Sequence, residues 1–340
     1  MEWMSKVKYG IIGLGWFGEY HGDALAGLPN VELYALCTRT ESRLRELGTK
    51  FGVKHLYTDY DKMLADPELD AVSITTMWDQ HTAPTLAAIN AGKHVFLEKP
   101  MASTVSDCRA IVRAARTSDG CFMVGHIVRF NPRYAAAKRE IAAGKIGKIV
   151  SIYARRNVPV SVGTSVLPKI GPIIGDGVHD TDIMLWYTGA KIKSVYAQTL
   201  NVFGHKYPDI GWTMYRFDSG AIGVCENVWC MPDKNGFFPD ERMEAIGTDG
   251  GVHIQETYPS MSVITRQDVY TPDPTYWPEI RPGVRGGALA EELGYFVNCI
   301  VNKTPPAIIT PEESMAAVQA CLAAEASASS GKVVSVQDFS

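Results

Sequence analysis

Lys8-Tyr9-Gly10-Ile11-Ile12-Gly13-Leu14-Gly15-Trp16-Phe17-Gly18 is the stretch on which the fold turns. A short apolar strand, Lys8 to Ile12, runs directly into Gly-x-Gly-x-x-Gly, and a helix-compatible segment, Glu19 to Leu28, follows. In such a turn Gly13 permits the tight bend, Gly15 lets the backbone approach a pyrophosphate, and Gly18 lets helix and strand pack closely. The pyrophosphate then rests on the helix N-terminus, where free N–H groups and the helix dipole favour an anion. Gly13, Gly15, Trp16, Phe17 and Gly18 are therefore read as cofactor-binding.

Outward from this loop, strands and helices alternate. Strands are expected at Val31 to Cys37, Ala71 to Thr75, His94 to Leu97 and Phe122 to Gly125. Helices are expected at Glu41 to Phe51, Asp59 to Ala65 with Asp59 as cap, His81 to Ala91 closed by Gly92, and Val105 to Thr117. This is the pattern of an α/β Rossmann domain with a doubly wound parallel sheet. It is placed at residues 1–125.

Ligands bind at the carboxyl ends of the strands in such sheets. The second strand ends in Cys37-Thr38-Arg39-Thr40, where an NAD-binding fold usually carries Asp or Glu for the ribose 2′-hydroxyl. Thr38 can donate to a 2′-phosphate, and Arg39 can pair with one or stack on adenine. NADP is favoured, with NAD as the alternative. The next strand ends in Thr75-Thr76-Met77-Trp78, so Thr76, Trp78 and the nearby His81 are counted as cofactor-facing; Trp78 either lies near the nicotinamide or packs the loop. The strand His94 to Leu97 delivers Glu98, Lys99 and Pro100. Charged residues are rarely buried without a partner, and proline ends the strand by removing a donor. Neighbours on a strand point to opposite faces, which directs Glu98 to the cofactor amide and Lys99 to substrate.

Residues 126–340 read as an α+β domain with a large, mostly antiparallel open sheet. A helix from Pro132 to Ala143 leads to a strand from Lys148 to Val158, a Pro/Gly-containing loop to Gly171, and a helix from Gly177 to Tyr187. Strands follow without intervening helices: Ile192 to Asn201, Thr213 to Phe217, Ala221 to Val228, Arg242 to Gly247 and Gly251 to Gln255. Asp218-Ser219-Gly220 is a hairpin turn signal. Helices from Ala288 to Val301 and Pro311 to Ala328 close the chain, the latter with a Thr310/Glu313 capping box and Pro311 at its first position.

The totals narrow the function. Of 340 residues, 46% are hydrophobic and 21% charged, which is ordinary globular composition. A net charge of −4 argues against a general nucleic-acid binder. No apolar run approaches the roughly 18 residues of a membrane span, and Met1 to Tyr9 lacks the apolar core of a signal peptide. The seven scattered cysteines form no Cys-x-x-Cys pair, so reduced thiols, a cytoplasmic location and no metal site are expected.

Gly13-x-Gly15-x-x-Gly18, Ala91-Gly92-Lys93-His94-Val95 with Glu98-Lys99-Pro100, Arg129-Phe130-Asn131-Pro132 and Asp176-Gly177-Val178-His179-Asp180-Thr181-Asp182 occur in an order that resembles the glucose–fructose oxidoreductase/inositol dehydrogenase (Gfo/Idh/MocA) family. The resemblance covers nearly the whole chain. It implies hydride exchange with a polyol, sugar or nucleotide sugar, a final helix packing back near the domain junction, and a homodimer or homotetramer formed through the open sheet. Gly-His-x-x-Arg-Phe-Asn-Pro followed by Arg155-Arg156 looks most like the branch that oxidises nucleotide-linked amino sugars at C3. One departure matters. The family commonly carries a carboxylate four residues before the histidine, where this chain has Gly175; its acid, Asp176, comes one place later, a rotation of roughly 100° on a helix.

Oxidising an alcohol requires the carbinol C–H against the nicotinamide and a group to take the hydroxyl proton. His179, with a reference pKa near about 6.5, suits that task. Lys99 starts at about 10.4, and burial and the positive nicotinamide ring lower it. Lys99 and His179 are the expected catalytic pair, with Asp176 or Asp182 orienting His179. Asp176, Asp182, Arg129 and Arg156 are expected to bind substrate, although Arg129 has domain bridging as an equal alternative. Two other readings stay open: an NADP- and sugar-sensing regulatory protein, and an enzyme whose tightly held cofactor oxidises the sugar transiently.

Overall fold

The expected alternation forms as β1 (Val7–Ile12), α1 (Trp16–Leu25), β2 (Val31–Cys37), α2 (Glu41–Phe51), β3 (His55–Tyr57), α3 (Tyr60–Leu64), β4 (Ala71–Ile74), α4 (Thr82–Asn90), β5 (His94–Glu98), α5 (Val105–Arg116) and β6 (Phe122–Gly125). These come from a computed structural model that describes residues 6–233, 239–255, 263–267, 269–270 and 275–339. The strands make one sheet in the order β3-β2-β1-β4-β5-β6, every neighbour parallel. In register, Ile12 lies beside Ile74 and Ile74 beside Leu97. The chain therefore leaves β1, β4 and β5 at one sheet edge, where Gly13, Thr75 and Lys99 follow. Asp59 caps α3 by accepting the Asp61 N–H, and Thr104 caps α5 by accepting that of Asp107.

Two details differ from the sequence reading. Helix α1 begins at Trp16, inside the glycine pattern, with Gly15 as its N-cap. The edge strand β3 was not expected, because three residues, two of them exposed, are too few to show alternation.

The chain continues through α6 (Pro132–Ala142), β7 (Ile149–Asn157), the short helices α7 (Val160–Val166) and α8 (Pro172–Gly175), α9 (Gly177–Thr188), β8 (Ile192–Leu200), β9 (Ile210–Phe217), β10 (Ile222–Val228), β11 (Asp240–Gly247), β12 (Gly251–Gln255) and a two-strand ladder, β13 (Val263–Ile264) with β14 (Val269–Tyr270). A second ladder, β15 (Glu279–Arg281) with β16 (Val284–Arg285), precedes α10 (Gly287–Val301), α11 (Pro311–Ser330) and β17 (Val334–Ser335). The larger sheet runs β12-β11-β7-β10-β9-β8-β17. Only β7 and β10 pair in parallel; the other neighbours are antiparallel. The hairpin at Asp218-Ser219-Gly220 joins β9 to β10, with Gly220 at φ 92° and its N–H on the Phe217 carbonyl. Strand β9 alternates as a sheet covered on one face must: Thr213, Tyr215 and Phe217 are buried, Trp212 and Met214 exposed. Helices α9 and α11 meet the buried face, where Thr181 Oγ1 lies 2.9 Å from Tyr215 OH and Cys321 Sγ 3.5 Å from Thr181 Oγ1.

The chain clusters into two units, Met1–Asn131 with Thr275–Met315, and Pro132–Pro274 with Ala316–Ser340. The sequence reading assigned all of 126–340 to one domain; the structure returns Thr275–Met315 to the first unit. Aromatic packing is the reason. Phe296 of α10 meets Tyr9 edge-on at 6.4 Å and Phe96 at 5.6 Å. Trp277 meets Phe17 at 5.6 Å and Tyr20 at 6.1 Å, and Arg285 stacks 3.5 Å over the Tyr20 ring. Fully burying a side chain such as Phe296 is worth about 1.5–3 kcal/mol, so these contacts outweigh sequence order. Helix α11 starts in the first unit and ends in the second. Its capping box forms: the Thr310 N–H reaches Glu313 Oε2 at 2.8 Å and the Glu313 N–H reaches Thr310 Oγ1 at 3.3 Å.

The seven cysteines are free, and burial pushes the thiols of Cys37, Cys108 and Cys321 up to about 12, which keeps them protonated. Among the described residues no helix is long and apolar enough to cross a membrane, and no group of three metal-ligating side chains occurs.

Candidate active site

The glycine loop has the geometry its sequence calls for. Gly13 takes φ 101°, and a Cβ there would lie 2.6 Å from the Thr76 nitrogen. A Cβ on Gly18 would lie 2.1 Å from the Gly13 carbonyl oxygen, so the first turn of α1 closes directly onto the bend. Gly15 is the opposite case: nothing stands within 4 Å of where its Cβ would be. No side chain caps α1, which leaves its first N–H groups facing that open space. Glu19 in the first turn is neutralised by Arg43 and Lys50. A tight bend, a closed helix start and an open, uncapped cradle between them suit a dinucleotide pyrophosphate. Thr75 Oγ1 donates to the Gly13 carbonyl at 2.5 Å and ties the loop to the end of β4.

The other cofactor candidates gather around the same edge. Arg39 is exposed and donates to Gln80 Oε1 at 3.0 Å, while the Thr38 N–H bonds the Tyr57 carbonyl. Residues 37–40 contain no carboxylate, and Glu41 is paired with Arg45. Trp78 opens a 3-10 turn to Gln80 and is half-buried. His81 is buried, its Nδ1 2.8 Å from the Pro100 carbonyl and its Nε2 3.1 Å from that of Thr76. Burial lowers its pKa while the two carbonyls pull the other way. His81 thus clips the loop after β4 to the turn after β5, whose Lys99–Pro100 peptide bond is cis. Glu98 is buried and Lys99 half-buried at the end of β5. Arg129 is buried, donating to the Ile308 carbonyl at 2.5 Å, with Glu313 Oε1 at 3.5 Å.

In the second unit the candidates sit on α9. Asp176 is its N-cap position, but its carboxylate turns away from the helix and Oδ2 accepts the Trp229 indole N–H at 3.0 Å. The same indole explains Gly175: a Cβ there would lie 2.5 Å from Trp229 Cη2. A carboxylate at position 175 has no room in this chain. His179 and Asp182 are buried on the same helix, and the His179 N–H bonds the Asp176 carbonyl at 2.9 Å. Arg156 points inward from β7. It makes a two-pronged pair with Asp180, at 3.0 and 3.3 Å, and reaches Glu241 Oε2 at 2.8 Å. Burial pushes the Asp180 carboxyl up, and Arg156 pulls it back down. Arg155 points to the other side and pairs with Asp240 at 2.8 Å.

Sequence reasoning passed over three participants. His21 lies three residues beyond Gly18 and contacts Glu98; a histidine one turn into the phosphate-facing helix was the available signal. Trp229 holds Asp176, and Glu241 completes the Arg156 cluster. Nothing local in the sequence links those pairs.

Two family models match the chain. The first, described as an oxidoreductase family with an NAD-binding Rossmann fold (GFO_IDH_MocA), covers residues 7–126. The second, the GFO/IDH/MocA C-terminal domain, covers residues 134–253. Among known proteins, the chain is 26% identical over 328 residues to a myo-inositol 2-dehydrogenase of Thermotoga maritima, covering 91% of this chain and 93% of that one. It is 32% identical over 258 residues to the scyllo-inositol 2-dehydrogenase (NAD(+)) of Bacillus subtilis, covering 73% and 74%. A crystal structure of apo scyllo-inositol dehydrogenase from Lactobacillus casei superposes with a TM-score of 0.86 at 25% identity, covering 98% and 99%. Glycine cradle, lysine-bearing strand end, histidine-bearing helix and these matches lead to one placement: the chain belongs to the Gfo/Idh/MocA family of oxidoreductases.

Proposed function

We propose that the protein is a dehydrogenase that transfers hydride from a CH–OH carbon of a cyclic polyol of the inositol type to a nicotinamide dinucleotide. The observation that carries this reading is Lys99, delivered by β5 to the same sheet edge as the open cradle at Gly15. The relatives named as inositol dehydrogenases support a free cyclic polyol over a nucleotide-linked amino sugar. A dinucleotide held at the Gly13–Gly18 cradle would supply the hydride acceptor. Lys99 and His179 bind the reacting hydroxyl and take its proton, leaving a ketone. Asp176, whose Oδ1 has no hydrogen bond among the described residues, receives a substrate hydroxyl, and Asp182 orients His179. Arg156 and Arg129 serve the scaffold, since carboxylates and a carbonyl already meet their charge.

The carboxylate-free end of β2 and Arg39 favour the 2′-phosphate of NADP. Titration with NADPH and NADH by intrinsic fluorescence tests this. Arg39→Ala is expected to weaken NADPH binding by about 10- to 100-fold, the worth of one charge-assisted hydrogen bond, and to leave NADH unchanged. Preference for NADH in both proteins, as the name of the Bacillus subtilis relative indicates for that enzyme, would overturn it.

The open face of the larger sheet supports a homo-oligomer. Trp212, Met214, Ile222, Leu200 and Ile246 are all exposed, and they lie on its β8, β9, β10 and β11 strands. An apolar patch of this kind on a sheet is a site for a protein partner. Sedimentation equilibrium at micromolar protein is expected to give a dimer or tetramer that Met214→Asp dissociates. A monomeric wild type would remove this reading.

A further inference from the structure

Four buried polar side chains, one from each of β1, α1, β4 and β5, form a continuous chain in the first unit. Tyr9 OH lies 3.0 Å from Ser73 Oγ, Ser73 Oγ lies 3.1 Å from His21 Nδ1, and His21 Nε2 lies 3.1 Å from Glu98 Oε1. Glu98 Oε2 accepts the Lys99 backbone N–H at 3.1 Å. Tyr9, His21 and Ser73 are fully buried, and Glu98 is 6% exposed.

Counting protons gives the chain a direction. An ionised carboxylate only accepts, so His21 Nε2 carries a proton. If the imidazole were also protonated at Nδ1, it would donate to Ser73 Oγ, and the two hydroxyl protons of Ser73 and Tyr9 would be left with one hydrogen bond between them. Either the Tyr9 or the Ser73 proton would then have no acceptor among the described residues. A buried donor without an acceptor costs about 1–3 kcal/mol. With a neutral imidazole every group is satisfied: Tyr9 donates to Ser73, Ser73 to His21 Nδ1, His21 Nε2 to Glu98, and the Lys99 N–H to the other carboxylate oxygen. Burial also raises the Tyr9 pKa, which keeps the phenol a donor.

We propose that His21 is a positioning residue: as a neutral Nε2–H imidazole it holds the Glu98 carboxylate turned onto the Lys99 backbone, and so sets where the Lys99 side chain stands. His21 follows Gly18 by three residues on α1. The chain therefore ties the phosphate-facing helix to the strand end that carries Lys99. The inference rests on the reading of Lys99 as the group that meets the reacting hydroxyl.

Two measurements on the full-length protein test it. The first needs no turnover. Long-range 15N NMR of histidine-labelled protein at pH 8, with His21 assigned by loss of its signal in His21→Gln, is expected to show an imidazole with its proton on Nε2 and none on Nδ1. A ring that carries a proton on Nδ1 overturns the proposal. The second is steady-state kinetics with myo- and scyllo-inositol. His21→Leu removes the donor to Glu98 and is expected to lower kcat by about 10²-fold, the scale of a small misplacement at the reacting centre. Polyol KM and nucleotide Kd are expected to stay within about twofold, because uniform binding is untouched. His21→Gln, whose carboxamide N–H replaces Nε2–H, is expected to recover most of kcat. Equal losses in both variants, or a loss confined to KM, would make His21 merely structural. If the wild type oxidises no polyol, the dehydrogenase reading fails, and the NMR result still decides the direction of the chain.

Discussion

Lys99→Met is expected to lower kcat for inositol oxidation by about 10³-fold, the middle of the range for losing a positioned acid–base group. Methionine keeps the length and apolar stem of lysine and removes the amine. The half-buried position at the end of β5 stays filled, and the backbone bond from Lys99 to Glu98 survives because it uses the main-chain N–H. Nucleotide affinity and thermal stability are therefore expected to stay near wild type. Stopped-flow measurement of reduced nucleotide under saturating polyol reads the effect. Turnover within tenfold of wild type would remove Lys99 from the chemistry. Two other readings give different patterns. A sensing protein gives no turnover in the wild type with any polyol. An enzyme that oxidises its sugar transiently converts substrate with no net change in nucleotide.

Arg156→Leu is expected to destabilise the protein by about 3–5 kcal/mol, the usual cost of removing one member of a buried ionic cluster. Arg156, Asp180 and Glu241 are each at most 5% exposed. Without the guanidinium, two carboxylates face each other in an apolar interior between β7, β11 and α9. Urea unfolding at pH 7.5 measures the loss. The sign of its pH dependence follows from the carboxylates. In the variant Asp180 loses the guanidinium that pulls its carboxyl down, so burial raises its folded-state pKa further above the unfolded one. The penalty is then absent at low pH and grows as pH rises through the folded value. The difference from wild type should therefore narrow on acidification, and adding Asp180→Asn with Glu241→Gln should recover part of the stability at pH 7.5. A loss below about 1 kcal/mol, combined with a raised polyol KM, would return Arg156 to the substrate role that its place in the sequence suggests.

The first half of the chain was legible because its signals are local. Gly13 and Gly18 each meet a backbone requirement that only glycine satisfies, Gly15 keeps the cradle open, and the strand before and helix after supply the context. The ends of β2, α2 and β6 were readable to the residue because apolar runs stop there at polar or glycine positions. The short edge strand β3 and the two-residue β17 carried too few residues to show a period. The loop from Pro159 to Gly171 hid α7, since its Val, Ser, Gly and Thr residues favour no helix.

At the site the same division holds. Lys99 and His179 stood out by residue type and motif. What surrounds them did not, because it depends on contacts between residues far apart in sequence. His21 is joined to Glu98 across 77 positions, Arg156 to Glu241 across 85, and Asp176 to Trp229 across 53. No periodicity encodes such pairs; shape and desolvation select them once the sheets have formed.

Alone, the sequence determined that a parallel sheet with a dinucleotide loop precedes a mostly antiparallel sheet, and that a lysine ends a strand near that loop. Backbone geometry and hydrophobic periodicity act over a few residues, so they can be read in order along the chain. Only the tertiary structure decided that Thr275–Met315 rejoins the first unit, that Arg156 is held by two carboxylates, and that Trp229 fills the space where a side chain at position 175 would stand. These outcomes follow from which surfaces meet, and burying a charge or a ring has a cost or a gain only when its neighbours are known.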